Sequence, residues 1–215
     1  NCQGWVFDQF QPEPAGGKMK HTLLITGFEP FQQEPINPSW EAVAALPSDI
    51  GPWHLEKLRL PTVFGQAAEL ALARAAVLKP QAILSLGQAG GREAVTPEVV
   101  AVNLQDARIP DNAGNQPQGE PIVPAGWDGY FTTLPVRSLA QQAAEKGFPC
   151  RLSYSAGTYV CNDVFYRLLH HYKPTETRVG FIHVPFLPIQ AKEGQPSLSL
   201  TQITEVLEFL IGALE

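Results

Sequence analysis

The sequence predicts an α/β fold: one domain of three layers, α/β/α, with a mostly parallel mixed sheet flanked by helices. Two observations carry this expectation. Short apolar runs of strand character alternate along the chain with segments of helical spacing. Strands joined through helices build parallel sheets covered on both faces. In addition, 215 residues with 44% hydrophobic content hold enough apolar mass for one large core. No internal repeat and no linker interrupts the chain after residue 19.

The elements follow in order. His21–Thr26 (HTLLIT) reads as a buried strand, ended by Gly27. After a Pro-rich loop, Asn37 and Pro38 open a helix through Ala45, with Asn as the cap and Pro in the first helical position. His54–Leu60 alternates polar and apolar residues, as a half-exposed strand does. Phe64–Lys79 is Ala/Leu-rich with helical spacing at Leu70, Ala73, Val77 and Leu78, and Pro80 stops it. Ala82–Leu86 is a short apolar strand running into GQAGG, and Glu98–Leu104 is a further strand candidate. Residues 105–126 carry Pro, Gly and Asn throughout, and a stretch of this kind inside a compact domain is usually functional. Val136–Lys146 is helical up to Gly147, Arg151–Ser155 is a strand, Asn162–Tyr172 a helix and Val179–Val184 a strand. The last helix starts at Ser199, with Gln202 completing a capping box. Leu200, Ile203, Leu207, Leu210, Ile211 and Leu214 form its apolar face.

Residues 1–18 have neither the basic start nor the apolar stretch of a secretory signal. The single methionine, Met19, stands just before the first strand. We read 1–18 as an extension or expression-derived segment outside the fold, and 19–215 as the domain.

Fifteen basic against 21 acidic residues give a net charge of −6, which opposes a nucleic-acid footprint. No apolar run approaches the ~18 residues that cross a bilayer, so no membrane partner is expected. Cys2, Cys150 and Cys161 are too few and too odd in number for a disulfide framework. They fit a reducing, cytoplasmic setting. No CxxC, HExxH or Cys/His cluster calls for a metal, and no cofactor is expected.

In such sheets ligands bind beyond the carboxyl ends of the strands, which selects the loops after Thr26, Leu86, Ser155 and Val184. Cys161 follows a strand and a Gly-Thr turn. With Thr158 as the helix cap, it falls in a first turn, where unpaired amides and the helix dipole favour a thiolate. The bland alternative is a small buried hydrophobe, the reading we give Cys150. Among five histidines, His183 lies at the end of an apolar strand, where a buried ring needs a partner. It is either a satisfied core residue or a base on the same sheet edge as Cys161. An orienting group would complete the set. Glu93, Glu98, Asp106, Asp111 and Asp163 all lie near suitable loops, and spacing does not choose among them.

Several blocks, in order, resemble one family: LLITGFEPF (23–31), INPSWEAV (36–43), LSLGQAGGR (84–92), TPE (96–98), ARIPDNAGNQP (107–117), SAGTYVCN (155–162), GFIHVPFLP (180–188) and PSLSL (196–200). Together they resemble the pyroglutamyl peptidase I (pyrrolidone-carboxylate peptidase) family of cysteine peptidases, over nearly the whole chain after Met19. The resemblance implies a peptidase domain that removes N-terminal pyroglutamate from peptides through a thioacyl-enzyme. It implies Cys161 as nucleophile, His183 as general base and then acid, and Glu98, the glutamate of TPE, as orienter. Phe28 and Phe31 would hold the pyroglutamyl ring. Asn37, Thr62, Gln88, Arg108, Ile109, Tyr159 and Val160 would line the rest of the site, with Arg108 beside the reacting carbonyl. It also implies a homo-oligomer, a tetramer in many members.

The chain departs from the family pattern in three places. Gln32-Gln33 replaces the usual Gly-Gly, and positive φ there would strain or redirect the loop. Tyr159 replaces the usual Phe, and Val99 stands where Arg is common. Two alternatives therefore stay open: an amidohydrolase of another cyclic or blocked amide, and a non-catalytic small-ligand-binding protein on the same fold.

Overall fold

The structure, a computed structural model, describes residues 20–214. The reading of residues 1–18 concerns residues outside that range. In chain order the elements are β1 (His21–Phe28), α1 (Pro38–Ala45), β2 (Asp49–Ile50), β3 (Trp53–Leu60), α2 (Gln66–Leu78) and β4 (Ala82–Gln88). There follow β5 (Thr96–Pro97), β6 (Val100–Val102), β7 (Gly129–Phe131), α3 (Val136–Glu145), α4 (Val160–Tyr172), β8 (Arg178–Val184) and α5 (Leu200–Gly212).

The main sheet has six strands in the order β2-β3-β1-β4-β8-β5. β3, β1, β4 and β8 run parallel, while β2 and β5 close the two edges antiparallel. β1 is buried on both faces, which explains its continuous apolar run. Leu23 and Ile25 face a core shared with α1, α3 and α5, and Leu24 and Phe28 face one shared with α2 and α4. Helices on both faces make the expected mostly parallel α/β/α sandwich.

Local chemistry sets the helix ends as expected in two cases. The Asn37 side chain accepts from the Ser39 N–H ahead of Pro38, and Ser199 and Gln202 form a reciprocal capping box. A third expectation fails: the cap of α4 is Tyr159, with no side-chain hydrogen bond, and the Thr158 hydroxyl donates instead to Asp106 O at 2.8 Å. The helix therefore starts before Asn162 and includes Cys161.

Two strand expectations need correction. Glu98–Leu104 does not form one strand: only Val100–Val102 is extended, paired antiparallel with β7 in a separate two-stranded ribbon. Arg151–Ser155 is not a strand but runs beside residues 95–99. Val95 N donates to Pro149 O, Arg151 N to Val95 O, Ser153 N to Pro97 O and Val99 N to Ser153 O. The step missing from this parallel ladder is the one that needs an N–H on Pro97, so it survives as bridges at Val95↔Cys150 and Glu98↔Ser153. Residues 105–126 are irregular, as expected, but pinned: Gln105 and Glu120 exchange backbone bonds, and Asp111 accepts from Phe64, Ala113 and Asn115.

Candidate active site

β1 and β4 pair only as far as Thr26↔Ser85. Beyond that row β1 continues beside β3 to Phe28↔Leu60, and β4 beside β8 to Gln88↔Val184. The two central strands thus part at their carboxyl ends, at the point where the chain's direction of travel across the sheet reverses. That is where an open parallel sheet offers a crevice. A cavity of about 440 Å³ lies there, and its lining includes Phe28, Phe31, Asn37, Thr62, Gln88, Arg108, Tyr159, Val160, Cys161 and His183. Of the residues expected from the sequence, Ile109 is not in the lining, and Glu98 sits fully buried behind it.

Sheet register brings the reactive groups together. His183 on β8 is the partner of Gly87 on β4, and a Cβ on Gly87 would lie 2.6 Å from Cys161 Sγ. The missing side chain is what lets the sulfur settle beside the strand that neighbours His183. On its other flank His183 pairs with Thr96 of β5, and two residues on, Glu98 Oε1 lies 2.7 Å from His183 Nδ1. The antiparallel edge strand thus delivers this glutamate, and Glu93, exposed on the preceding loop, stays outside.

Electrostatics within the group is tightly linked. Burial opposes ionisation of Glu98, but the hydrogen bond and charge of His183, with help from Ser153 and Arg92, outweigh it and hold the carboxyl below the usual range. Burial also holds the His183 imidazole below its ordinary value, against the opposing pull of Glu98. Cys161 departs from the sequence expectation. Burial, reinforced by the Glu98 charge, pushes its thiol up to about 12 despite its place in the first turn of α4. The resting pair is therefore a neutral thiol and a neutral imidazole. Cys150 is a buried thiol in the core, pushed up to about 11 by burial.

The pocket walls are fixed by contacts among themselves. Phe31 and Tyr159 lie 6.0 Å apart by ring centroids, and Phe64 meets Tyr159 edge-on at 5.3 Å. The Tyr159 hydroxyl donates to Pro110 O at 3.0 Å, so the atom that distinguishes it from Phe is spent on the 107–117 loop. Asn37 is occupied by Ser39 and the Glu29 carbonyl, and the Thr62 hydroxyl donates to that same carbonyl. Gln190 donates to Gln88 Oε1 at 3.1 Å, and the Gln88 amide N–H₂, in the cavity wall, has no partner among the described residues. Gln32 and Gln33 take φ of 55° and 62° and are exposed. Both residues therefore take a left-handed backbone suited to glycine, at a cost in strain.

Sequence reasoning missed Arg92, the last residue of LSLGQAGGR. Its guanidinium donates to Glu98 Oε1 at 2.7 Å, to the Thr96 hydroxyl, and to Ser155 O at 3.0 Å. The available signal was a lone arginine at the end of a glycine-rich loop six residues before the glutamate.

No helix among the described residues is long and apolar enough to cross a membrane, and no group of three or more His, Cys, Asp or Glu among them could hold a metal.

Similarity to known proteins agrees with this geometry. A sequence model described as pyroglutamyl peptidase matches residues 21–214. The pyrrolidone-carboxylate peptidase of Levilactobacillus brevis is 49% identical over 197 residues, covering 89% of this chain and 96% of that protein. The crystal structure of pyroglutamyl peptidase I from Bacillus amyloliquefaciens superposes with a TM-score of 0.85 at 42% identity, covering 91% of this chain and 97% of that one. Pyrrolidone carboxyl peptidase from Thermococcus litoralis gives 0.84 at 35% identity, covering 89% and 91%. On a match spanning almost every described residue, the chain belongs to the pyroglutamyl peptidase family.

Proposed function

We propose that Cys161, His183 and Glu98 form the catalytic group of a pyroglutamyl-peptidase I, a cysteine-type hydrolase that releases N-terminal pyroglutamate from peptides. The observation that carries the reading is the His183–Glu98 hydrogen bond of 2.7 Å at the wall of the cavity that also holds Cys161. Glu98 accepts from His183 Nδ1–H, which fixes the tautomer and leaves Nε2 as the base. Because the thiol is held up near 12 by burial, its proton passes to His183 as the sulfur attacks the scissile carbonyl. The Glu98 carboxylate stabilises the imidazolium that forms. The unpaired amides at the start of α4, uncapped by any side chain, together with Arg108, face the oxygen on which charge develops. His183 then gives its proton to the leaving amine, and a thioester to Cys161 remains. Water, deprotonated by His183, attacks this thioester and frees pyroglutamate and the thiol.

Substrate choice follows from the walls. Pyroglutamate is an uncharged five-membered lactam. Phe28, Phe31 and Tyr159 supply its packing surface, and the unpaired Gln88 amide supplies a donor for the lactam oxygen. No Asp or Glu among the described residues lines the cavity, so a prolyl ring would bring an ammonium with no counter-charge. Pyroglutamyl reporters are expected to exceed prolyl reporters in kcat/KM by at least about 10³, the scale for sites built to hydrogen-bond a substrate group. Comparable values, or better turnover of an N-acetyl reporter, would return the assignment to another blocked amide. By the same resemblance we place the protein in the cytoplasm as a homo-oligomer, a tetramer, to be checked by sedimentation.

A further inference from the structure

Glu98 is an unusual orienting group in how it is held. Its side chain is fully buried, yet Oε2 has no hydrogen-bond partner. Both contacts fall on Oε1: His183 Nδ1 at 2.7 Å and Arg92 at 2.7 Å. Without Arg92, the carboxylate would keep only the ring it has to orient and the Ser153 side chain, whose influence on it is smaller than that of the ring. A carboxylate held by one oxygen can turn about its bond to the chain, and its aim would then follow the imidazole instead of setting it. A buried carboxylate facing a neutral imidazole would also lack a counter-charge, which is costly. Arg92 supplies both missing elements, a second anchor and a positive charge.

The guanidinium is itself fixed from two other sides. It donates to the Thr96 hydroxyl on β5, the strand that leads to Glu98, and to the carbonyl of Ser155 at 3.0 Å. Ser155 begins the loop that lines the cavity and leads into the helix carrying Cys161. One planar fork thus spans the segment holding the orienter and the segment entering the nucleophile helix, a geometry that Lys cannot reproduce.

Building on the catalytic reading above, we infer that Arg92 is a positioning residue: it aims Glu98 at His183 and keeps the imidazole neutral in the resting site. The charged and titratable groups around His183 are the buried Glu98, and Arg92, Arg108, Cys161 and Tyr159 in the cavity wall. Gly87 and Thr96, its partners on the flanking strands, carry none. Burial is the main cause that holds the imidazole down, and the Arg92 charge adds to it. Removing that charge lets His183 protonate at higher pH, and a protonated His183 cannot accept the thiol proton.

The test uses Arg92→Gln and Arg92→Lys in the full chain, with kcat, KM, the pH profile of kcat/KM and an NMR titration of the labelled His183 ring. Arg92→Gln should lower kcat roughly 10- to 100-fold, the scale for partners that orient a functional ligand from behind, with KM near wild type. Its His183 midpoint and the acid limb of kcat/KM should both move up by roughly one pH unit, the lower end for a nearby charge. Arg92→Lys keeps the charge without the fork, so the limb should stay near wild type while kcat remains reduced. The inference is overturned if Arg92→Gln leaves kcat and the His183 midpoint unchanged, or if both variants only lower thermal stability. A wild-type protein that does not cleave a pyroglutamyl reporter would overturn the catalytic reading instead. The NMR titration would still decide the place of Arg92.

Discussion

At the scale of single residues, the site separates groups that look alike in the sequence. Cys150 and Cys161 are both thiols raised by burial, but only Cys161 lies in the cavity beside His183. Cys161→Ser should therefore fold and lose nearly all turnover of a pyroglutamyl reporter, because a hydroxyl is a far weaker nucleophile, while Cys150→Ser stays active. Wild-type turnover in Cys161→Ser would end the proposed mechanism. Glu98 and Glu93 form a second pair. Glu98→Gln should reduce kcat by about 10²–10⁴, the range for general acid–base contributions and their orienters, whereas the exposed Glu93→Gln should change little. The opposite ranking in steady-state kinetics would show that the orienter is wrongly assigned. Cys161 and His183 were legible as candidates, His183 from its place near the end of an apolar strand and Cys161 from the Gly-Thr turn that leads into a helix. Glu98 was not legible from spacing. Its contact depends on the Thr96↔His183 pairing of residues far apart in the chain, and only the family resemblance singled it out. Arg92 was missed because two of its partners, Thr96 and Glu98, take their places only through the β5–β8 pairing, and the third, Ser155, lies far along the chain.

At the scale of elements, close approach at one glycine sets the place of Cys161, the proposed nucleophile. A Cβ on Gly87 would come within 2.6 Å of Cys161 Sγ and 2.8 Å of the Phe181 ring. Gly87→Ala should push the sulfur off its place and cut kcat on the order of 10²-fold, the cost of about 1 Å of misplacement. Gly147 offers the contrast: its φ is +82°, and nothing lies within 4 Å of an added Cβ. Gly147→Ala should cost roughly 1 kcal/mol of stability through left-handed strain and leave kcat unchanged. Denaturant melts and kinetics on the two variants separate the cases, and equal kcat in both would remove the assigned role of Gly87. Long elements were readable in advance because their own residues carry the pattern: apolar runs in β1, β4 and β8, and capping chemistry in α1 and α5. The two- and three-residue strands β2, β5 and β7 were not, since so short a pairing is decided by the partner strand. The ladder beside residues 95–99 was half read: its extended course was expected, but not the gap that Pro97 imposes.

At the scale of the whole molecule, the sheet holds two apolar layers apart, and at the carboxyl edge between them lie the buried Glu98 and His183. Among the groups shifted by folding, His183, Glu98 and Asp111 are all held below their ordinary values. Each therefore binds more protons unfolded than folded over the interval between its lowered and ordinary values, so stability rises with pH across that interval. Acidification should weaken the fold in two stages. The first begins just below 6.5, the ordinary value of His183, as the unfolded chain's imidazole takes up a proton that the buried ring refuses. The second begins below the ordinary values of 4.5 and 3.8 for Glu98 and Asp111, and is lost as pH falls through their lowered values. Asp49 is also lowered, by Lys20 and His54, but it is fully exposed and screened by solvent. Urea midpoints measured across this range for wild type and His183→Asn test the assignment. The wild-type midpoint should fall between pH 7 and the carboxylate range, while the variant, lacking the imidazole, should be nearly flat until the second stage. An identical slope in both proteins would mean that groups outside the site govern the first stage. The same buried imidazole would then matter to the chemistry but not to the acid stability of the fold.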